Sequence, residues 1–163
     1  MIKPSQKRAC RGFTLVEILI VVIILGILAA IVIPQISGFT TTSREAALKQ
    51  NLKTIRSQLG VYYHEHTSGY PDEFVAQMTR WTDPAGNVSN SPSAVYYRGP
   101  YLEQMPANPY TNSSSVTVID DASVLFTPPE TSGGWWFNRA TGEFRANLSS
   151  DVTSEGGEEI WRW

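Results

Sequence analysis

The first half of the chain carries two patterns of apolar residues, one after the other. No charged residue occurs from Ile18 to Ser43, and Ile, Leu and Val dominate this run. A helix needs about 20 apolar residues to cross the hydrocarbon core of a bilayer, so the run is long enough to span a membrane. Residues 1–12 contain four basic residues and no acidic one. Because basic flanks tend to stay in the cytoplasm, the pattern predicts a cytoplasmic N-terminus and an exported body.

The second pattern is an amphipathic stripe that follows the apolar run. Its apolar residues recur every three or four positions (Leu48, Leu52, Ile55, Leu59 and Tyr62). This spacing places them on one face of a helix, which predicts that the face is buried. We therefore expect one helix from Phe13 to about His66, with a transmembrane or filament-core half over 13–39 and an amphipathic half over 40–66. Pro34 is expected to kink this helix without ending it.

Residues 67–148 are predicted to form a globular region with a small sheet. Short β-branched or aromatic runs predict three or four strands (Val116–Ile119, Val124–Phe126, Trp135–Asn138 and Glu143–Ala146). Gly142 lies between the last two runs, which predicts a hairpin. An antiparallel sheet packed on the amphipathic half of the helix gives an α+β fold. In the Trp135-Trp136 pair, strand alternation puts one indole on the helix side and the other outward, as either a subunit contact or an exposed aromatic.

The remaining segments are predicted from capping and turn residues. Asp72 is expected to cap a short helix that reaches Arg80, and residues 82–93 are rich in turn formers. Residues 149–163 are acidic and contain Ser and Gly, which predicts a mobile tail with its Trp residues available for docking.

Charge and the scarce residue types exclude several classes of function. Removal of residues 1–12 would take away four of the 13 basic residues and none of the 15 acidic ones. The remaining chain is then acidic and lacks the basic surface that binds nucleic acid. The only cysteine, Cys10, lies in that segment, and the two histidines, His64 and His66, point to different sides of a helix. The sequence therefore predicts no metal site, no catalytic cluster and no nucleotide-binding motif.

The basic segment joins the apolar run through Gly12-Phe13-Thr14-Leu15-Val16-Glu17. A basic leader, this Gly, the Phe-Thr-Leu-Val-Glu string and an unbroken apolar helix resemble the N-terminal signal of type IV pilins and of type II secretion pseudopilins. The resemblance implies that a prepilin peptidase cleaves after Gly12, removes the leader 1–12 and methylates the new amine of Phe13. Glu17 can pair with that amine within its own helix at i, i+4, whereas the resemblance favours the amine of a neighbouring subunit during assembly.

A second segment narrows the resemblance to the major pseudopilins of type II secretion. Residues 99–110 are similar to their Tyr-Leu and Leu-Pro-x-Asp-Pro-Trp segment, with Met105 in place of Leu and Asn108 in place of Asp. This resemblance implies a pilin fold and a homopolymeric periplasmic filament that helps to export folded proteins. It also implies a single-pass anchor in the inner membrane, with minor pseudopilins and an inner-membrane assembly platform as partners.

Members of this family commonly bind calcium on the C-terminal side of the sheet, through Asp and Ser side chains and a backbone carbonyl. The acidic residues available for this purpose do not match the family pattern residue by residue (Asp120, Asp121, Asp151, Glu155, Glu158 and Glu159). Calcium is therefore implied only by the resemblance, and the residues themselves predict no cofactor.

Two other functions stay open. A surface type IV pilin for adhesion, motility or DNA uptake would share the N-terminal signal, but such pilins often carry a C-terminal disulfide, and no cysteine follows Cys10. A signal-anchored exported enzyme or binding module would keep residues 1–12 and would need a catalytic cluster, which the sequence does not show. Cleavage after Ala30 would instead release a secreted domain.

Overall fold

A computed structural model describes residues 13–67 and 69–163, apart from the side chains of residues 32–39. The predicted leader 1–12 lies outside the described residues. The longest element is the helix α1, Leu15–Glu65, so the single long helix is confirmed. The chain divides into two units, Met1–Thr40 and Thr41–Trp163, and α1 contributes residues to both.

The second unit is built on one buried face of α1. The predicted stripe residues are all at most 2 % exposed (Leu48, Leu52, Ile55, Leu59 and Tyr62). Burying one Leu or Ile side chain contributes about 1.5–3 kcal/mol relative to leaving it in water. The stripe packs in a single apolar core with aromatic residues from the rest of the unit (Phe74, Tyr101, Trp135, Phe137 and Phe144). The amphipathic pattern therefore places α1 as one wall of this core.

A short helix, α2, follows α1 and spans Phe74–Thr79. Its N-cap is Glu73, and no side chain caps it at that position. The Glu73 N–H donates instead to Asp72 Oδ1 and to Gln77 Oε1, each at 3.0 Å. The short helix is therefore present, but the expectation that Asp72 caps it is wrong, because Glu73 holds the N-cap position and the Asp72 carboxylate accepts the Glu73 N–H.

The predicted turn-rich segment contains a small ribbon. Its strands, β1 (Trp81–Thr82) and β2 (Val88–Ser89), pair antiparallel. In the turn between them, the Asp83 carboxylate accepts the N–H groups of Ala85 (2.9 Å) and Asn87 (3.0 Å). Asp suits such turns because its short side chain satisfies main-chain donors that a turn leaves unpaired. A side-chain hydrogen bond from Asn87 is the main cause that lowers the pKa of Asp83.

The main sheet has three strands in the order β3 (Val116–Ile119), β4 (Trp135–Asn138) and β5 (Glu143–Ala146). β4 and β5 are antiparallel and are joined by a turn in which Gly142 has a φ of +76°, as the predicted hairpin requires. β3 pairs with β4 in parallel, whereas the sequence predicted antiparallel pairing for the sheet. Parallel neighbours need a long crossover, which residues 120–134 supply. The α+β layout is confirmed.

The crossover contains no strand, so the predicted strand Val124–Phe126 is wrong. Asn138, which is fully buried, donates from Nδ2 to the main-chain oxygens of Asp121 (2.9 Å) and Val124 (3.0 Å). These two bonds hold the start of the crossover in a turn. Its backbone therefore bonds to a side chain of β4 instead of extending the sheet.

Both tryptophans of β4 are buried. Trp135 lies in the core, as predicted for one indole of the pair, and its Nε1–H donates to the main-chain oxygen of Pro106 at 2.8 Å. Trp136 is only 7 % exposed. The Phe126 ring packs edge-on against it with centroids 5.2 Å apart, and the Trp161 ring lies 6.1 Å from that of Phe126. Trp136 thus lies outside the core cluster that contains Trp135, but the expectation that this second indole is exposed is wrong, because crossover and tail residues cover it.

Asn108 ties the segment before β3 to the start of β4. It is fully buried. Its N–H donates to the main-chain oxygen of Ser113 (2.9 Å), and its Nδ2 donates to the main-chain oxygen of Gly134 (2.9 Å). Its Oδ1 accepts the N–H of Tyr110 (3.0 Å). An amide side chain donates and accepts at once, whereas an ionised carboxylate only accepts. These contacts explain why Asn suits this chain at a position where major pseudopilins have Asp.

The tail, residues 149–163, is docked on the second unit. Ile160 is fully buried in a 3-10 turn, Ile160–Arg162. The main chain forms a bridge between Thr153 and Glu159. The acidic composition predicted mobility, but the structure places Ile160 in the core and packs Val152 and Trp163 against it.

Candidate assembly site at the start of the helix

α1 begins with a reciprocal cap formed by Thr14 and Glu17. The Glu17 Oε2 accepts the Thr14 N–H (2.8 Å) and the Thr14 hydroxyl (2.9 Å), while the Glu17 N–H donates to Thr14 Oγ1 (3.2 Å). This arrangement is a capping box, which satisfies main-chain donors that the first turn of a helix leaves without partners. The Thr-x-x-Glu spacing is a sequence signal for this cap that the charge argument for Glu17 overlooks.

The cap determines what the Glu17 carboxylate can do chemically. It accepts hydrogen bonds and carries a negative charge, and it is bound by two donors of Thr14, the main-chain N–H and the hydroxyl. Phe13, which is 82 % exposed, directly precedes Thr14. Gly12 lies outside the described residues. An amine created at Phe13 would therefore lie one residue along the chain from the N–H that Glu17 already binds, where the carboxylate can accept it.

The helix surface beyond the cap is apolar on all sides. From Ile18 to Ile31, every large apolar side chain is between 48 and 58 % exposed, without the alternation of buried and exposed positions seen from Leu48 to Tyr62. A helix that is apolar all round is normally covered by lipid or by other protein. This surface distinguishes the N-terminal part of α1 from the amphipathic part.

One prediction for this region is not tested by the structure. Pro34 lies within α1, but its side chain is outside the description, so the predicted kink stays a prediction. Within the part of the chain that the structure describes, no helix combines the length and the apolar character needed to cross a membrane.

The histidines that resemble a metal motif have separate surroundings. His64 is exposed, whereas His66 is 6 % exposed and stacks on Tyr62 with ring centroids 3.8 Å apart. The His66 Nδ1 lies 2.9 Å from the main-chain oxygen of Tyr62, and its Nε2 lies 2.9 Å from Thr82 Oγ1. His66 thus joins the end of α1 to β1.

The carboxylates of Asp120 and Asp121, which were considered for calcium, have separate partners. Asp120 pairs with Arg139 (3.3 Å), and Asp121 Oδ1 accepts the N–H and the hydroxyl of Ser123 (2.8 and 2.7 Å). Among the described residues, no three His, Cys, Asp or Glu side chains are grouped so that they could hold a metal ion. The donor set therefore does not fit the calcium site that the resemblance implies.

Comparison with known proteins identifies the family. Residues 7–33 match the model of the prokaryotic N-terminal methylation motif, which covers the junction, the cap and the apolar helix surface. The chain is 33 % identical over 107 residues to the type II secretion system core protein G of Pseudomonas aeruginosa, covering 66 % of this chain and 72 % of the relative. It is 30 % identical over 106 residues to the protein of the same name from Klebsiella michiganensis, covering 64 % and 71 %. The chain belongs to the type II secretion core protein G family.

A further similarity, over a shorter stretch of the chain, is to a type IV pilin. The chain is 46 % identical over 55 residues to the type IV major pilin protein PilA of Myxococcus xanthus, covering 34 % of this chain and 25 % of the pilin. No solved structure matches the chain significantly. The match to core protein G covers about twice as much of the chain, so the expected pseudopilin of type II secretion is confirmed in preference to a surface pilin.

Proposed function

We propose that the chain is a structural subunit of a type II secretion pseudopilus and has no catalytic activity of its own. It polymerises through the N-terminal part of α1 into a periplasmic filament that helps to export folded proteins across the outer membrane. The observation that carries this proposal is the apolar surface from Ile18 to Ile31, about half exposed on every side directly after a capped helix start. In a filament, neighbouring helices would cover that surface.

The same segment anchors the subunit before assembly. The charge-free run from Ile18 to Ser43 follows a basic leader, which favours a single inner-membrane pass with the N-terminus in the cytoplasm and the second unit in the periplasm. A prepilin peptidase cleaves after Gly12 and methylates Phe13. Minor pseudopilins and an inner-membrane platform are the further partners, and the acidic chain that remains after cleavage has no role with nucleic acid.

Glu17 sets the register of the subunit in the filament. An unpaired carboxylate in an apolar environment costs several kcal/mol, so a subunit that enters the filament is stabilised where Glu17 meets the amine of a neighbouring Phe13. The capping box holds the carboxylate at the start of the helix before this partner arrives.

The first experiment is intact-mass and N-terminal analysis of the protein from its native membrane. We expect a chain that starts at N-methylated Phe13. A chain that still starts at Met1, or one cut after Ala30, would contradict the filament function and favour an anchored or secreted domain.

A pair of variants separates the charge of Glu17 from its capping role. Glu17→Gln keeps an oxygen that can cap the Thr14 N–H but removes the charge, whereas Thr14→Ala removes the capping hydroxyl and keeps the charge. If charge pairing drives assembly, Glu17→Gln loses filaments and secretion while processing after Gly12 continues, and Thr14→Ala assembles. The exposed Glu130→Gln is the matched control. A normal yield of filaments from Glu17→Gln would contradict the charge-pairing mechanism.

The similarity to a major pilin supports one alternative, a subunit of a surface pilus. Deletion of the gene in the native organism distinguishes the two. Loss of exported proteins from the medium with normal motility and adhesion supports the pseudopilus, and the reverse result supports the surface pilus.

A further inference from the structure

The tail, residues 149–163, returns to α1 at the end of the chain, on the side of the sheet where the family resemblance implies calcium. We propose that Arg56 and the buried Ile160 fasten this tail in place of a divalent cation, so that the folded state of this chain is independent of calcium. The proposal concerns the second unit alone and holds whether or not the chain forms a filament.

Arg56 bridges three elements with one guanidinium group. Its Nε and Nη2 donate to the main-chain oxygen of Phe144 in β5 at 3.0 and 2.8 Å. The same Nη2 donates to the main-chain oxygen of Trp163 at 2.7 Å. A planar guanidinium presents its donors in a fixed fork, so one side chain of α1 can hold the sheet and the tail together. The guanidinium cation thus links main-chain oxygens of two segments, as a bound metal ion would.

Other positive side chains hold the tail at separate points. Arg145 Nη1 donates to the main-chain oxygen of Trp161 at 3.2 Å. The Lys49 ammonium lies 4.0 Å from the centroid of the Trp163 ring, a cation–π geometry. Ile160, which is fully buried in the core, anchors the C-terminal part of the segment. The tail is thus fixed at its C-terminal end by contacts that need no metal.

Main-chain oxygens of the tail already accept hydrogen bonds from N–H groups of the tail itself. Ca²⁺ takes about six to eight oxygen ligands. In the tail, the main-chain oxygens of Val152, Ser154 and Glu158 accept the N–H groups of Ile160 (3.2 Å), Gly157 (2.9 Å) and Ser154 (2.8 Å).

Two of the tail carboxylates likewise accept hydrogen bonds from within the chain. Glu155 Oε2 accepts the Thr42 hydroxyl at 2.7 Å, and Glu159 Oε2 accepts Arg162 Nε at 2.5 Å. The two carboxylates therefore bind different elements, since Thr42 lies in α1 and Arg162 lies in the tail itself. This agrees with the finding that no three acidic, His or Cys side chains among the described residues form a metal-binding group.

Hydrogen exchange measured by mass spectrometry on the full chain in detergent micelles tests the proposal. Protection of peptides from residues 149–163 is compared in millimolar calcium chloride and in EGTA. We expect equal protection of the wild-type tail in both solutions. Faster exchange of the tail in EGTA, or an increase in thermal midpoint on adding calcium, would overturn the proposal.

Arg56→Met removes the guanidinium and keeps much of its aliphatic length. We expect tail exchange at least about tenfold faster, with or without calcium, because the lost bonds come from a charged donor. Arg56→Lys keeps the charge but lacks the planar fork of donors, so its tail exchange should lie between that of the wild type and that of Arg56→Met. Lys53→Met, an exposed position on the same helix, is the matched control. Unchanged tail exchange in Arg56→Met contradicts the proposal; if that variant unfolds entirely, Arg56→Lys and the wild-type comparison decide.

Discussion

Asn108→Asp introduces the residue that the family resemblance leads one to expect, and we predict that it destabilises this chain. Asn108 is fully buried, and its Nδ2 donates to the Gly134 oxygen at 2.9 Å. An ionised carboxylate at this position would place oxygen against oxygen. The Gly134 oxygen would keep a second donor, the Asn147 N–H at 3.2 Å, so it would not lose every partner.

The magnitude follows from two contributions. Loss of one buried hydrogen bond costs about 1 kcal/mol. Burying a polar group without a compensating partner costs about 1–3 kcal/mol more in proteins. We therefore expect the free energy of unfolding to fall by about 2–4 kcal/mol at neutral pH. Burial raises the pKa of such a carboxyl group, and once protonated the group can donate to the Gly134 oxygen. The loss of stability in Asn108→Asp should therefore shrink as the pH falls.

The assay is urea denaturation of the full chain in detergent micelles, followed by tryptophan fluorescence at neutral and mildly acidic pH. Asn112→Asp is the matched control, because Asn112 is exposed and its φ of +54° suits both Asn and Asp. The control should stay within about 0.5 kcal/mol of wild type. A stable Asn108→Asp, or a loss that does not shrink on acidification, would refute the argument from the amide donor.

Further predictions concern two glycines and one turn. In Gly134→Ala the new Cβ would meet the Ser115 oxygen, a main-chain atom that cannot move aside, so we expect a loss of about 3 kcal/mol or more in urea denaturation. Gly60→Ala, in open space within α1, should instead stabilise by about 0.5–1 kcal/mol. Because hydrogen bonds from Asn87 lower the pKa of Asp83, its carboxylate stabilises the fold above its unfolded pKa of about 3.9, and this is lost as the pH falls through the lower folded value. Asp83→Asn should therefore lose less stability than wild type on acidification; an identical pH dependence would contradict this.

The candidate assembly site could be predicted from the sequence because its signals are local. One helix contains all of these signals: Glu17, the apolar run and the stripe from Leu48 to Tyr62. In a helix, a residue three or four positions away is a spatial neighbour, so the sequence pattern itself shows which residues share a face. The hairpin around Gly142 is equally local. The Thr14-x-x-Glu17 spacing also predicts the capping box. This cap gives Glu17 a second role besides charge pairing, namely to satisfy the Thr14 N–H at the start of the helix.

Pairings between distant parts of the chain were decided only by the tertiary structure. The parallel pairing of β3 depends on how the crossover returns to β4, and the burial of Trp136 depends on Phe126 in that crossover. No local pattern encodes such contacts, since each side of the pair is compatible with several partners.

The tail shows the same division most clearly. By composition, residues 149–163 are acidic and polar enough to stay in solvent. Arg56 meets Trp163 across 107 positions of sequence, and that contact exists only after α1 and the sheet have formed the surface on which the tail docks. The sequence thus determined the helix and its two kinds of surface, whereas packing determined which polar groups found partners and where the chain ends on the fold.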